Sequence, residues 1–435
     1  MKNYRSLAPI VMILLVVLSW YKMLSQVSSE NSKYEAFIAA ARSFAEDDIS
    51  SRAFENYRYA LEVKNTIELY SEIVEYSKQL GNIDNYIDWS LEMTEQYPQE
   101  SKPYEYLLDA YLLDKDYKSC YRTLDVVTGR NIQSPIIEQI RNNIMYEYKT
   151  EYGMYSDVGA FCNNYCAVKA EDHWGFVDYT GTLKVKCTYQ QVGVFTSEGI
   201  CPVKEDDGST YFILNNGEKE LNPKEKYMTF GNCAEDRIPA QKSDGEYIYI
   251  DTRANPVLEG YEYASSFNNG LAAVKKSGSW YMIKTDGTLL NDTKYVDVKL
   301  DEREMACRNN RYFAALEPGK YHMYDISGTQ IGNDVYSDAS VFLGESVASV
   351  KIDGKWLFVD ENGTKKSDKV YEEARSFNCG LAAVKLDGKW GYVNMQEKVV
   401  ISPQYQAAQD FNSKGSCFVK TDDKWRMIKL YRYNH

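Results

Sequence analysis

The stretch Phe377–Asn394, FNCGLAAVKLDGKWGYVN, constrains this chain more than any other, because weakened copies of it recur along the last two thirds of the sequence. Within it Leu381, Ala383 and Lys385 alternate with Ala382, Val384 and Leu386, the period-two pattern of a strand. Asp387-Gly388 follows, and Lys389–Val393 runs back. Asp-Gly between two such runs predicts a tight hairpin whose central residues take positive φ. A lone hairpin is marginal in water, so the unit must bury its apolar side against neighbouring copies.

Anchored on the Trp of that hairpin, eight units follow at Trp174, Thr210, Tyr247, Trp280, Tyr321, Trp356, Trp390 and Trp425, spaced 33 to 41 residues apart. Gly lies seven residues after the anchor in five of them (Gly181, Gly217, Gly287, Gly328, Gly363), often led by Asp178, Asp325 or Asp360. That pattern predicts a second turn, with Asp capping its own backbone and Gly in the left-handed position. In six units a Tyr precedes a Phe by six residues, from Tyr155–Phe161 to Tyr405–Phe411.

These residues resemble the WG-repeat family, whose copies read approximately Phe-x-x-Gly-Leu-Ala-x-Val, then Lys-Trp-Gly-Tyr-Ile-Asp, Gly and Tyr. The resemblance covers about residues 155–432 and is closest at Phe377–Asn394, Phe267–Gly287 and Trp174–Gly181. It implies β-structured modules of unknown or binding role, frequent in bacterial proteins. Only Gly175 and Gly391 keep the Gly after the Trp, and Thr210, Tyr247 and Tyr321 replace the Trp itself. A ligand held by Trp-Gly in every unit is thus closed to most of them.

Each unit offers two clear strands, a third as in Val399–Ile401, and a short fourth near Tyr405. The last unit ends ten residues after Trp425 and lacks the later strand, whereas Tyr152–Tyr155 precedes the first unit and can supply it. A strand borrowed from the other end removes bare sheet edges. A propeller-like closed ring is therefore favoured, with an open β-solenoid as the alternative.

Ahead of the array, Lys2 and Arg5 precede an apolar run from Leu7 to Tyr21, followed by Lys22. The run is short for a span unless Lys22 snorkels and Met23-Leu24 are included. No small-x-small cleavage site follows, so the expectation is an uncleaved signal anchor over residues 1–25, with a cleaved signal peptide as the alternative. The charge bias places the N-terminus in the cytoplasm and the rest outside the membrane. Residues 26–32 read as a polar linker.

From residue 33 to 150 the periodicity is helical. Tyr70, Ile73, Val74, Gly81 and Tyr86 align with Tyr104, Leu107, Leu108, Lys115 and Cys120 at a 34-residue period, with a looser copy from Ala36 to Ala60. This resembles the tetratricopeptide family of paired antiparallel helices, although its Trp-Leu-Gly opening is absent and its closing Pro occurs only at Pro98. Ser134-Pro135 starts a last helix, expected over Ile136–Lys149. The fold class is thus α+β and multidomain: anchor, helical hairpins over 33–150, and eight β repeats over 151–435.

Composition narrows the chemistry. With 50 basic against 63 acidic residues, the net charge of −13 argues against nucleic acid as a partner. The 38 tyrosines suit β-rich structure. Nine cysteines show no metal-ligand spacing, and Cys166, Cys201 and Cys417 fall where Ala272 and Ala382 stand in better copies, so they read as small buried fillers rather than a disulfide framework. His173 and His322 sit beside the anchors on strands and read as exposed positions. The Asp turns lack the alternating acidic ligands of a calcium loop, and no P-loop, GxSxG or HExxH occurs.

No catalytic, cofactor or metal residue is expected. The candidate positions are the repeat anchors Trp174, Trp280, Trp356, Trp390, Trp425, Tyr247 and Tyr321, read first as packing between units and second as an aromatic binding row. The expected function is a membrane-anchored, non-enzymatic scaffold or adaptor for an unidentified protein. A module binding cell-wall polymer or carbohydrate is the alternative.

Overall fold

The computed structural model describes residues 8–223 and 225–433. The chain divides into two compact units, one ending at Met145 and the other beginning at Tyr146.

The first unit is helical: α1 Ala8–Glu46, α2 Ser50–Val63, α3 Ile67–Gln79, α4 Ile83–Gln96, α5 Ser101–Asp114, α6 Tyr117–Gly129 and α7 Pro135–Asn143. The 34-residue period is carried by the helix starts. Thr66, Glu100 and Ser134 precede α3, α5 and α7, and the Thr66 and Ser134 hydroxyls accept backbone N–H bonds there. Asn82 and Asp116 cap α4 and α6 in the same way, satisfying first-turn donors that have no partner inside the helix. Gly81 and Lys115, paired by the period, both take the left-handed conformation that ends the preceding helix (φ 69° and 59°). Ala41, Ala53, Ala60 and Ala110 are fully buried, letting helix axes approach, while Tyr57, Tyr70 and Tyr86 fill the core. Those three turn their hydroxyls out to Glu72, Glu92 and Asp109, so each buried ring keeps a satisfied polar tip.

Two expectations change here, and a third, the anchor, is left unconfirmed. Residues 26–32 are not a linker but part of α1, since nothing in Gln26–Ser32 is a Gly or Pro that would end a helix. The last helix stops at Asn143 rather than Lys149, because Tyr148 onward is recruited into the β unit. For the anchor over residues 1–25, no helix among the described residues is long and apolar enough to cross a membrane. Its basic flank, Lys2 and Arg5, lies outside the described residues.

The second unit is an eight-bladed β-propeller. Each blade runs outward from a short inner strand. In blade 7 these are Glu373–Ala374, Leu381–Leu386, Lys389–Asn394 and Val399–Tyr405, all antiparallel. Asp387 and Gly388 turn the central hairpin with φ of 49° and 73°, as predicted. The apolar run Leu381–Val384 is buried at every position because both faces of a blade are covered. Leu381, Ala383 and Tyr392 pack toward blade 8 with Phe411 and Val419, while Ala382, Val384 and Val393 pack toward blade 6 with Val347 and Phe358. The six-residue Tyr–Phe spacing is the step between blades: Tyr405 ends one outer strand, and Phe411 follows the next inner strand.

Ring closure follows the borrowed-strand expectation. Tyr148–Tyr155 forms the outermost strand of blade 8, ordered beside Lys424–Leu430, Ser416–Thr421 and Ala407–Ala408. Tyr155 pairs with Trp425 in the register that Tyr405 holds with Trp390. Blade 1 then packs Val158, Cys166, Val168 and Val177 against Phe418 and Met427 of blade 8.

Candidate functional site

The predicted anchors share one register. Each begins the third strand of its blade, beside the hairpin turn, so all eight lie on one face of the ring in eight separate blades. Opposite Trp174, Trp280, Trp356, Trp390 and Trp425 stand Lys169, Lys275, Lys351, Lys385 and Lys420. On the other side of the same Trp stand Tyr189, Tyr295, Tyr371, Tyr405 and Tyr155. Every Trp-bearing blade thus carries a Lys–Trp–Tyr row across it. Where the Trp is lost the row changes: Thr210 faces Lys204, Tyr247 faces Gln241, and Tyr321 faces Ala315. The five Trp rings and Tyr247 are half-buried, and Tyr321 is buried. Each Trp ring and Tyr247 therefore packs in part and stays open to solvent in part, while Tyr321 is packed.

The Gly after the Trp has a local cause. A Cβ on Gly175 would stand 2.4 Å from the Val185 carbonyl oxygen, and one on Gly391 2.6 Å from that of Ile401. In these blades the outer strand bulges against the third strand, so the residue serves backbone approach. Asp178, Asp325 and Asp360 accept backbone N–H bonds from residues two and four positions on, capping the turns as expected. His173 lies half exposed with Nε2 3.0 Å from Asp206 of the next blade, a carboxylate that raises its pKa. His322 is half-buried in its strand. Cys166, Cys201 and Cys417 are fully buried fillers at the Ala positions, and burial pushes all three thiols well up.

A second region, at the ring axis, escaped the sequence reading. Blade 5 carries extra residues between its inner strand, Asp297–Val298, and Arg311–Glu317, and Asp301–Met305 projects among the inner strands of other blades. Met305 bridges Ser266 of blade 4, and the Arg303 carbonyl accepts from Asn232 Nδ2 of blade 3 at 3.0 Å. Glu302 takes a 2.6 Å bond from Arg375 of blade 7, whose guanidinium also grips Asp410 of blade 8 through two 2.9 Å bonds. Those carboxylates hold Arg375 firmly in its charged form despite burial. The signal was present in the spacing: Trp280 to Tyr321 is the longest interval, at 41 residues, and DEREMACR (301–308) holds no strand pattern.

The insertion leaves space on the side of blades 1 to 3. There a cavity of about 330 Å³ lies between Trp174, Thr210 and Phe230 on its walls and Glu302, Glu304 and Gln409. Gly159, Gly193 and Gly231 take the inner-strand position filled by Arg375 and Gln409 in blades 7 and 8. Side chains are excluded at Gly193 and Gly231, where a Cβ would stand 2.6 Å from Pro202 and 2.9 Å from Pro239. Burial, with the Asp301 carboxylate nearby, raises the pKa of Glu304.

Among known structures, BamB from Moraxella catarrhalis aligns at 10% identity over 66% of this chain and 99% of its own, with a TM-score of 0.44. PorZ, an essential bacterial surface component of the type-IX secretion system of Porphyromonas gingivalis, aligns at 9% identity over 63% of this chain and 42% of its own, with a TM-score of 0.35. No curated protein matches the sequence. The model of the WG containing repeat matches residues 174–208, 249–280, 358–390 and 390–425. Four stretches of the β unit are therefore similar to the WG containing repeat.

Proposed function

We propose that this chain is a non-enzymatic scaffold or adaptor that docks a protein partner on the hairpin face of its propeller. The observation that carries this reading is the Lys–Trp–Tyr row, repeated at one register in five blades. A pre-formed ring loses little conformational entropy on binding, and half-open Trp beside Lys offers apolar and cationic contact together. The helical unit, with tetratricopeptide-like pairing at 34 residues, supplies a second repeat surface. The apolar run Leu7–Tyr21 is proposed as a membrane anchor, which would place the repeats outside the cytoplasmic membrane.

Crosslinking of tagged full-length protein in intact cells tests the reading. A recurrent partner is expected, lost when Lys385→Glu and Trp390→Ala are combined. An isolated monomer without crosslinks overturns it. Protease digestion of the same intact cells, following a C-terminal tag, reports the compartment.

The half-open Trp edges also suit a cell-wall or carbohydrate ligand stacking on the row. That reading requires Trp390→Ala to abolish binding of wall fragments with stability unchanged. Because one edge of Trp390 packs against the buried cluster of blades 7 and 8, a loss of about 2 kcal/mol is expected instead, roughly half the cost of truncating a fully buried aromatic. Chemical denaturation measures it.

A further inference from the structure

The axial cavity is built where the repeat departs from its own pattern. Thr210 stands at the register that five other blades fill with Trp, and three glycines line the inner strands beside it. Space so made beside an insertion of charged residues invites the question of what it holds.

Three polar side chains that line it, Gln409, Glu304 and Glu302, keep an acceptor oxygen without a hydrogen bond among the described residues. Gln409 is only 7% exposed, and its Oε1 has no hydrogen-bond partner. Its Nε2 donates to the Val158 carbonyl at 3.3 Å, which fixes the amide orientation, since the flipped form would oppose two oxygens. The Glu304 carboxylate takes no hydrogen bond or ion pair among the described residues, and its Oε2 lies 3.2 Å from where a Cβ on Gly231 would stand. Glu302 gives one oxygen to Arg375 and keeps the other free. A buried amide oxygen left unmatched is costly, so a ligand supplying N–H donors gains from meeting it. Asn232 Oδ1 is already spent on the Val194 N–H at 2.8 Å.

The walls are apolar and aromatic. Trp174 and Phe230 line the cavity, faces suited to an alkyl stem and to a cation beside it. Lys204 also lines it, at the hairpin end of blade 2 opposite Thr210. A second positive charge at that end would be repelled, which selects a ligand with a single cationic end.

We propose that this cavity binds a primary alkylammonium group, held by Glu304, Glu302 and Gln409 with its stem between Trp174 and Phe230. The shared chemistry fits a free small amine or a lysine side chain presented by another protein. The site shares Trp174 with the hairpin-face row, but it is tested separately, because its probes are small amines and its decisive variant, Glu304→Gln, lies outside that row.

Calorimetric titration of the full-length protein tests it with three probes: n-pentylammonium, N-acetyl-lysine methylamide and n-pentanol. The amines should bind and the neutral alcohol should bind at least tenfold more weakly. Preference for pentylammonium over the lysine amide identifies a free amine as the source, and the reverse identifies a peptide lysine. Glu304→Gln, which keeps side-chain shape, should weaken the better amine at least tenfold. Thr210→Trp, restoring the residue other blades carry, should close the cavity and abolish binding. Unchanged melting of both variants separates loss of the site from loss of fold, and Glu302→Gln with unchanged melting replaces any variant that melts early. Equal affinity for pentanol, no binding by either amine, or an affinity in Glu304→Gln within twofold of wild type overturns the proposal.

Discussion

At the scale of single residues, the repeat motif separates into positions that serve backbone geometry and positions that face outward. Gly175 belongs to the first kind. Its missing Cβ leaves room for the backbone of residues 185–187, three atoms of which would lie within 2.7 Å of a methyl group. Gly175→Ala should therefore cost about 1–3 kcal/mol, the range for a methyl forced into packed structure, measured as a shift of the urea midpoint. The cysteines are legible the same way. Cys166, Cys201 and Cys417 replace Ala at fully buried strand positions, and Cys120, Cys233 and Cys307 are buried as well, with thiol pKa values pushed up to about 12. Thiolate is the reactive form, so these six should resist labelling in the native protein and react only on unfolding, leaving Cys162, Cys187 and Cys379 as the labelled set in mass spectra. The shared register of the Trp positions follows from spacing, whereas their half-exposure does not, because a sequence shows which residue recurs and not how far its neighbours cover it.

At the scale of elements, the hairpin and its turns could be read directly, since Asp-Gly chemistry and period-two alternation act locally. The 34-residue helical period was equally local, and its caps at Thr66, Asn82, Asp116 and Ser134 follow from side chains that satisfy first-turn N–H groups. The polar stretch 26–32 misled because polarity marks a loop only when a helix breaker accompanies it; there was none. The extra length of the axial insertion shows in the 41-residue interval from Trp280 to Tyr321, but its destination does not. Asp301–Met305 finds its partners in blades 3, 4 and 7, at separations of 39 to 73 residues, and no local pattern encodes such contacts. Arg375 is the test of that element. With 28% of its side chain exposed and two carboxylates against it, Arg375→Leu leaves Glu302 and Asp410 repelling each other without a counter-charge. Breaking a buried pair costs about 3–5 kcal/mol. Roughly 3 kcal/mol is expected here, because the ion pair stays partly hydrated. Denaturation with an unchanged m-value would report it, and a loss below roughly 1 kcal/mol would mean that the insertion is not held by this pair.

At the scale of the whole molecule, a unit too small to fold alone becomes stable by stacking both faces of every blade, and the ring removes the two edges that a linear stack would leave bare. The closing strand comes from before the first repeat, and Tyr155 completes in blade 8 the Lys–Trp–Tyr row that each Trp-bearing blade makes for itself. The ring was anticipated from the missing last strand, whereas a partner or ligand was not, since repeats conserve the framework and the cavity arises where three blades depart from it. Native-state hydrogen exchange on the full-length protein addresses closure directly. If the ring is shut by this strand, the amides of Tyr148–Thr150 and their partners Ile428–Leu430 should exchange only with the global opening that also releases the blade 7 strands Leu381–Leu386 and Lys389–Asn394. Exchange of Tyr148–Thr150 at the rate of a frayed end, with blade 7 still protected, would show an open array and contradict the account.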